Sequence, residues 1–330
     1  MDRATTALCL SCVMPAFNEA DALPAVLAEA LAALKALAPA VELIVVDDGS
    51  SDATADVVRG LCAREPALRL LQLSRNFGKE AALTAGLAAA RGDVVVLMDA
   101  DGQHPTALLA TMAVRWRDGA DVVYAVRTTR DDQSTLHRRL TQLFYRVVNW
   151  GSRVRVPADA GDFRWLDRRA VDALLSMPER HRFMKGLYAW VGFRREAIPY
   201  QPLARRAGRS HFGLRGAFGL GTTGLLAFTA VPLRLLGLLG GLLALGALAY
   251  GMWVVIEYFW LGIDVPGYAT LAAGMMLLSG VQLMSIGLLA EYVARIYDEV
   301  KQRPLYLVMS EAGQGLPTAA ARAPASAEYP

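Results

Sequence analysis

The stretch GDVVVLMDADGQHP, residues 92–105, runs five apolar residues into Asp99, Ala100, Asp101, Gly102 and Gln103. A short, β-branched, continuously apolar run of this kind reads as a fully buried strand of a parallel sheet. At an extended strand end, side chains at i, i+2 and i+4 share one side. Asp99, Asp101 and Gln103 are therefore expected to present oxygen donors toward one point. Such a hard-oxygen set suits Mg²⁺ or Mn²⁺, which keeps some waters and takes diphosphate oxygens as further ligands. The same spacing also fits a turn-stabilising Asp pair that holds no metal.

The flanking sequence repeats this strand in an alternating pattern. Strands are expected at 8–14 (ending at Pro15), 41–46, 68–73, 93–98 and 121–126. Helices are expected between them at 21–38, 52–63, 78–90 and 105–117, with Ser50 or Ser51 capping the second. This rhythm indicates an α/β fold, a mostly parallel, Rossmann-like sheet covered by helices on both faces. In such sheets ligands bind at the carboxyl ends of strands. Polar groups stand at three of those ends: Pro15, Phe17, Asn18 and Glu19 after the first strand, Asp47 and Asp48 after the second, and the Asp99 loop. Helix capping accounts for Ser50, Ser51 and Asp52, but not for two carboxylates at the exit of a buried strand. Lys79 opens the helix after the third strand, where charge and dipole suit a phosphate; a solvated lysine fits equally.

Beyond residue 127 the pattern loosens into an Arg-rich helical stretch (134–150), a segment around 159–168, a helix at 168–176 and a basic connector from 199, with 214–230 amphipathic. Two apolar runs follow, Leu235 to Ile256 and Tyr268 to Ala290, 22 and 23 residues without a charge. Each meets the requirement of about 20 residues for crossing a bilayer, and globular helices rarely stay apolar on every face. Arginines precede the first run and Arg295, Lys301 and Arg303 follow the second, whereas the 257–267 loop has Glu257 and Asp264 but no base. The positive-inside rule then puts both termini in the cytoplasm of a cell whose inner membrane carries the hairpin. The expected division is a cytoplasmic catalytic domain (1–198), a connector with interfacial helices (199–230), membrane helices at 231–260 and 267–292, and a C-terminal segment (293–330) that is disordered from 311.

Composition agrees with two regimes. Mean hydropathy is +0.30 with 54% hydrophobic residues, and most of that excess lies beyond residue 217. Net charge is only +3, but arginines gather at 127–139, 164–169, 180–195 and 205–215, and acids at 42–56 and 93–101. Separation of sign points to an anionic ligand beside a metal site. Cys9, Cys12 and Cys62 are read as buried thiols of a reducing compartment, since the Cys9–Cys12 pair has no second pair to complete a zinc site. No basic-then-apolar leader opens the sequence, so no cleaved signal peptide is expected.

Five ordered motifs, PAFNE (15–19), VDDGSSDAT (46–54), SRNFGKEAALTAGL (74–87), MDADGQHP (98–105) and GDFRWLDRRAV (161–171), together resemble the family 2 glycosyltransferases that charge polyprenyl phosphates. That group includes dolichyl-phosphate mannose synthases and bacterial bactoprenol-phosphate glucosyltransferases with two C-terminal membrane helices. The resemblance covers about residues 8–300. It implies a GT-A-type fold and transfer of a sugar from a UDP- or GDP-hexose to a lipid phosphate, with inversion. By motif, Pro15, Phe17, Glu19, Asp47, Asp48, Lys79 and Ala100 would line the nucleotide-sugar pocket, and Asp99, Asp101 and Gln103 would hold Mg²⁺ or Mn²⁺. Arg127, Arg139, Arg164 and Arg205 match basic positions that hold donor or acceptor phosphate, the first three joining Asp101 as catalytic candidates. Gly102 stands for a common Leu, Gln142 for a Ser, and His211 for the Lys of a GxSK motif, here GRSH.

A lipid monophosphate is already ionised near neutral pH and needs no strong base. None of His104, His137, His181 and His211 is therefore expected to act as one. The chemistry needs repulsion between phosphate and diphosphate to be suppressed, which a cation and bidentate guanidinium groups supply. The expected partners are a nucleotide sugar, a polyprenyl phosphate and the membrane, with no nucleic acid. Gly237, Gly240, Gly241 and Gly246 suit close packing, inside the hairpin or between copies. Two other readings compete. A processive polysaccharide synthase would carry a Gln-x-x-Arg-Trp signature, of which FRW at 163–165 is a fragment; a non-catalytic nucleotide-sugar binder would not need the intact D-x-D-x-Q set.

Overall fold

The computed structural model describes residues 8–128, 146, 149, 157, 160–203, 231–261 and 267–317. Strands and helices alternate as β1 (Cys9–Ala16), α1 (Leu23–Leu37), β2 (Ala40–Asp47), α2 (Thr54–Cys62), β3 (Leu68–Leu73), α3 (Lys79–Ala89), β4 (Val94–Leu97), α4 (Leu108–Arg117) and β5 (Val122–Arg127). β6 (Ala160–Asp167), α5 (Arg168–Ser176), α6 (Met184–Trp190) and β7 (Arg195–Tyr200) complete this part of the chain. Two long helices follow, α7 (Val231–Leu261) and α8 (Tyr268–Lys301), and then a last strand, β8 (Val308–Ala312).

One eight-stranded sheet runs in the order β7-β5-β6-β4-β1-β2-β3-β8. β1 is parallel to both β2 and β4, β2 to β3, and β5 to β7, whereas β6 and β8 run against their neighbours. Chain order reverses at β1, with β2 on one side and β4 on the other, so a crevice opens at the carboxyl ends of these strands. Pro15 helps to open it. The Val13 carbonyl accepts from Met98 N–H, so odd-numbered residues of β1 bond toward β4, yet β1–β4 pairing ends at Val13–Leu97. Pro15 therefore lacks a donor just where β4 offers no partner.

Strand alternation sorts the core into two layers. Leu10, Cys12, Met14, Leu43, Val45, Val94, Val96, Phe163 and Trp165 pack with α1, α2 and α4 on one face. Val13, Ile44, Val46, Val95, Leu97 and Leu166 pack with α3, α5 and α6 on the other. A Cβ at Gly86 of α3 would collide with the Val13 side chain, so this glycine lets α3 approach the sheet. All three cysteines are free, and burial pushes the Cys12 thiol up to about 12, as fits inert core thiols.

Two expectations are corrected. Neither Ser50 nor Ser51 caps α2, whose N-cap Ala53 makes no side-chain bond. Instead Ser50 Oγ accepts from Asn18 N–H at 2.9 Å and Ser51 N–H donates to Asn18 Oδ1 at 2.8 Å, joining the two loops at the crevice. The chain is also ordered past residue 311: β8 lies antiparallel along β3, from Leu73↔Val308 to Leu70↔Ala312, and covers that sheet edge. Glu42 fixes its end. This fully buried carboxylate accepts from Ser11 Oγ (2.6 Å), Arg91 N (2.7 Å), Arg69 Nη1 (3.1 Å) and Leu316 N (3.3 Å).

α7 and α8 hold 31 and 34 residues, about 46 and 51 Å at 1.5 Å per residue. Both are long and apolar enough to cross a membrane, over Leu235–Val254 and within Gly274–Lys301, and the described side chains of both windows are unburied. α8 continues without a break through Glu291, Arg295, Asp298 and Glu299 to Lys301.

Candidate active site

β4 stops at Leu97, and Ala100–Gly102 forms a turn with Gly102 at φ +72°. The expected extended alternation of Asp99, Asp101 and Gln103 is thus corrected, because pairing with β1 ends at Leu97 and nothing holds the next residues straight. The turn is braced from within and below. Asp101 Oδ1 accepts from Gln103 N–H at 3.0 Å, and Arg127, at the end of β5, donates Nη2 to Gln103 Oε1 (3.4 Å) and Nε to Tyr200 Oη (3.3 Å). His104 is buried and stacks on Phe163 with centroids 4.7 Å apart; its Nδ1 accepts from Asp99 N–H at 3.0 Å. Burial holds the imidazole below its usual pKa in spite of Asp99 and Asp101, so His104 props the loop as a neutral ring.

Lys79, its side chain 38% exposed, is ion-paired on two sides. Its Nζ lies 2.7 Å from Asp99 Oδ1 and 2.7 Å from Asp162 Oδ2. Burial works against the ammonium charge, but Asp162 and Asp99 outweigh it and raise the pKa. Burial likewise opposes both carboxylates, and Lys79 keeps each below the ordinary range, helped by Lys185 at Asp162. Asp162 was missed in the sequence, although its signal is present. In β6, Phe163 and Trp165 enter one core layer and Asp162, Arg164 and Leu166 alternate with them, so two charges must be accommodated under a helix. Arg164 is buried beneath α6, its guanidinium 4.2 Å from the Tyr188 ring centre and 5.3 Å from that of Tyr124, with Nε donating to Gly161 O at 3.1 Å.

Glu80 adjoins this cluster and accepts from Met184 N–H at 3.0 Å. Burial and then Asp162 push its carboxyl up to about 7. Because the folded-state pKa lies above the unfolded one, folding takes up a proton between these values and stability falls as pH rises from about 4.5 to 7. Glu80→Gln removes that cost while keeping an acceptor for Met184. The variant should be about 1–3 kcal/mol more stable than wild type at pH 8, with the gain shrinking toward pH 5, read from urea denaturation at the two pH values.

On the β1–β2 side, Asn18 adopts φ +56° and its amide ties the PAFNE loop to the 50–52 loop. Glu19 N–H donates to Thr54 Oγ1 at 2.9 Å and the Glu19 carbonyl starts α1. The two neighbouring aspartates divide. Asp48 spends both oxygens on the α3 entrance, accepting from Phe77 N (2.8 Å) and Gly78 N (2.9 Å). Asp47 Oδ1 accepts from Ser50 N at 3.1 Å, but its Oδ2 is buried without a hydrogen-bond partner in the described structure. Such an atom is costly unless a ligand supplies a donor. Pro15, Phe17 and the buried Ala100 occupy the β1 and β4 exits between these groups. Arg139, Gln142, Arg205 and His211 lie outside the described residues, as do the 214–230 segment and all of 134–150 except residues 146 and 149.

The D-x-D-x-Q donors are two carboxylates and an amide. Among the described residues no group of three His, Cys, Asp or Glu side chains converges as a ready metal cage. The three donors are the hard oxygens that a cation keeping waters and drawing other ligands from substrate takes; Lys79 pairs with Asp99 Oδ1 and Arg127 with Gln103 Oε1.

The sheet is mostly parallel and GT-A-like, with acidic residues at the β1, β2 and β4 exits. Residues 11–175 match the model of Glycosyl transferase family 2 and residues 231–296 that of the GtrB C-terminal hairpin, and the chain belongs to glycosyl transferase family 2. It is 38% identical to the bactoprenol glucosyl transferase of Shigella phage SfII over 91% of this chain and 97% of the relative. It is 39% identical to an uncharacterized glycosyltransferase of Synechocystis over 91% and 94%, and 35% identical to a prophage bactoprenol glucosyl transferase homolog of Escherichia coli over 91% and 98%. The crystal structure of glucosyl-3-phosphoglycerate synthase from Mycobacterium tuberculosis with Mn²⁺, UDP and phosphoglyceric acid aligns with 68% of this chain and 78% of its own, at a TM-score of 0.47 and 18% identity.

Proposed function

We propose that this enzyme transfers a sugar from a UDP- or GDP-hexose to a membrane polyprenyl phosphate and releases the nucleoside diphosphate. The observation that carries this reading is the carboxylate-lined crevice on the same chain as an exposed apolar hairpin. Relatives named for bactoprenol glucosyl transfer, alike over nine-tenths of the chain, support the lipid acceptor.

A phosphate oxygen of the lipid attacks the anomeric carbon as the bond to the diphosphate oxygen breaks on the opposite face, giving inversion. The acceptor arrives ionised, so no proton has to be removed. Alignment and charge then dominate the barrier. Asp47 Oδ2 takes a donor from the nucleoside, while Pro15, Phe17 and Glu19 line its pocket. Asp101 and Gln103, with Asp99 beside them, would hold Mg²⁺ or Mn²⁺, which when bound would supply positive charge against the diphosphate. Arg127 sets Gln103, and Arg139 and Arg205 are assigned to the phosphates. Arg164 and Lys79 fix the Asp162 carboxylate. α7 and α8 span the cytoplasmic membrane with both chain ends in the cytoplasm, which puts the crevice within reach of a lipid head group.

The test is transfer of radiolabelled glucose or mannose from its UDP or GDP donor to undecaprenyl phosphate in vesicles, with and without EDTA. Label is expected in the organic phase only with lipid phosphate and free divalent cation. Release of nucleoside diphosphate that is indifferent to the lipid would overturn the reading.

A further inference from the structure

The end of α8 grips the catalytic domain at one loop, and that loop leads into the active site. Glu299 Oε1 accepts from the backbone N–H groups of Arg180 at 2.8 Å and His181 at 3.4 Å. Beside it, His181 Nε2 lies 3.3 Å from Asp298 Oδ2, and the Arg180 guanidinium bonds the Arg303 carbonyl. The next residue, Arg182, is buried and donates to the Leu174 and Met177 carbonyls and, at 3.5 Å, to Thr84 Oγ1 of α3. Two residues later Met184 N–H meets Glu80, and α6 begins, carrying Tyr188 against Arg164. Glu80 and Lys79 are neighbours on α3, and Lys79 bridges Asp162 to Asp99.

A carboxylate that accepts two successive backbone N–H groups makes a short, directional, charge-assisted joint. We propose that Glu299 is a positioning residue. Through the 177–184 loop it sets α6, and thereby the Glu80–Lys79–Asp162 side of the active site, from the membrane hairpin. The hairpin is then part of the catalytic geometry as well as an anchor. This inference rests on the transferase reading for its kinetic arm only, because its structural arm needs no substrate.

The experiment compares full-length wild type, Glu299→Ala and Glu299→Gln in vesicles. Amide exchange is expected to rise about tenfold at residues 180–181 and also at Met184–Trp190 in Glu299→Ala. In the transfer assay kcat should fall about tenfold, less than the 10²-fold of a 1 Å misplacement, while KM for the nucleotide sugar stays within about twofold. Glu299→Gln, which keeps an acceptor oxygen, should recover most of both. A cycle with Glu80→Gln should show non-additive loss of kcat. Faster exchange confined to 180–181, with Met184–Trp190 at wild-type protection, overturns the proposal. If the wild type transfers no sugar to any polyprenyl phosphate, the transferase reading fails and exchange at Met184–Trp190 alone decides this one. Should Glu299→Ala not accumulate, Glu299→Asp, which keeps the charge but shortens its reach, gives the same exchange reading.

Discussion

Replacing Lys79 with Met should lower kcat about 10²- to 10³-fold, the range for removing one preorganised electrostatic contact, without unfolding the protein. Methionine keeps much of the apolar stem and loses only the ammonium. That ammonium sits 2.7 Å from both Asp99 and Asp162, so its loss leaves two carboxylates facing each other. Like charges at such a site either separate or take up a proton. Separation moves Asp99, whose backbone N–H meets His104, and disturbs the adjacent Asp101–Gln103 turn, whereas a proton takes away the charge of one carboxylate. Lys79→Arg should rescue poorly, because a planar guanidinium does not replace a compact ammonium between two carboxylates. The check is sugar transfer to undecaprenyl phosphate in vesicles together with the thermal midpoint. A Lys79→Met enzyme with more than half the wild-type kcat would show that the ion pairs are incidental to turnover.

What could be read from the sequence follows the range of the interactions involved. Continuous apolar runs such as 94–98 and 43–46 report burial on both faces directly, so the parallel strands and their polar exits were legible. The two long helices were equally plain from uncharged length. Pairings across distant segments were not. Lys79 carries no local mark of its partners Asp99 and Asp162, 20 and 83 positions away. The backbone of the Asp99 loop was not legible, because strand alternation does not extend past the last strand pair, Val13–Leu97. β8 was hidden for a related reason. Five residues with Gly313 and Gly315 just beyond them look like a disordered tail until the edge of β3 supplies partners.

The attachment of that tail leads to the largest expected effect on stability. Glu42→Ala should destabilise the fold by about 3–5 kcal/mol, the usual result of removing one partner from a buried ion pair. Glu42 is fully buried and the Arg69 side chain is 8% exposed, so water cannot replace the lost carboxylate. Among the described residues Arg69 would retain the Ala89 carbonyl and, at 3.7 Å, the exposed Glu311. Ser11 Oγ, Arg91 N and Leu316 N would lose an acceptor together, and each unsatisfied buried group adds to the loss. The damage should concentrate where β8 returns to the sheet, so limited proteolysis should cut residues 308–317 before the catalytic domain unfolds. A double change, Glu42→Leu with Arg69→Met, separates charge from packing. If the penalty comes from a stranded guanidinium, the apolar pair should recover most of the stability lost in Glu42→Ala. Urea denaturation of the full-length protein gives the comparison. A Glu42→Ala midpoint within about 1 kcal/mol of wild type, the scale of an exposed ion pair, would mean that the carboxylate is not what holds β8 and Arg69 in place.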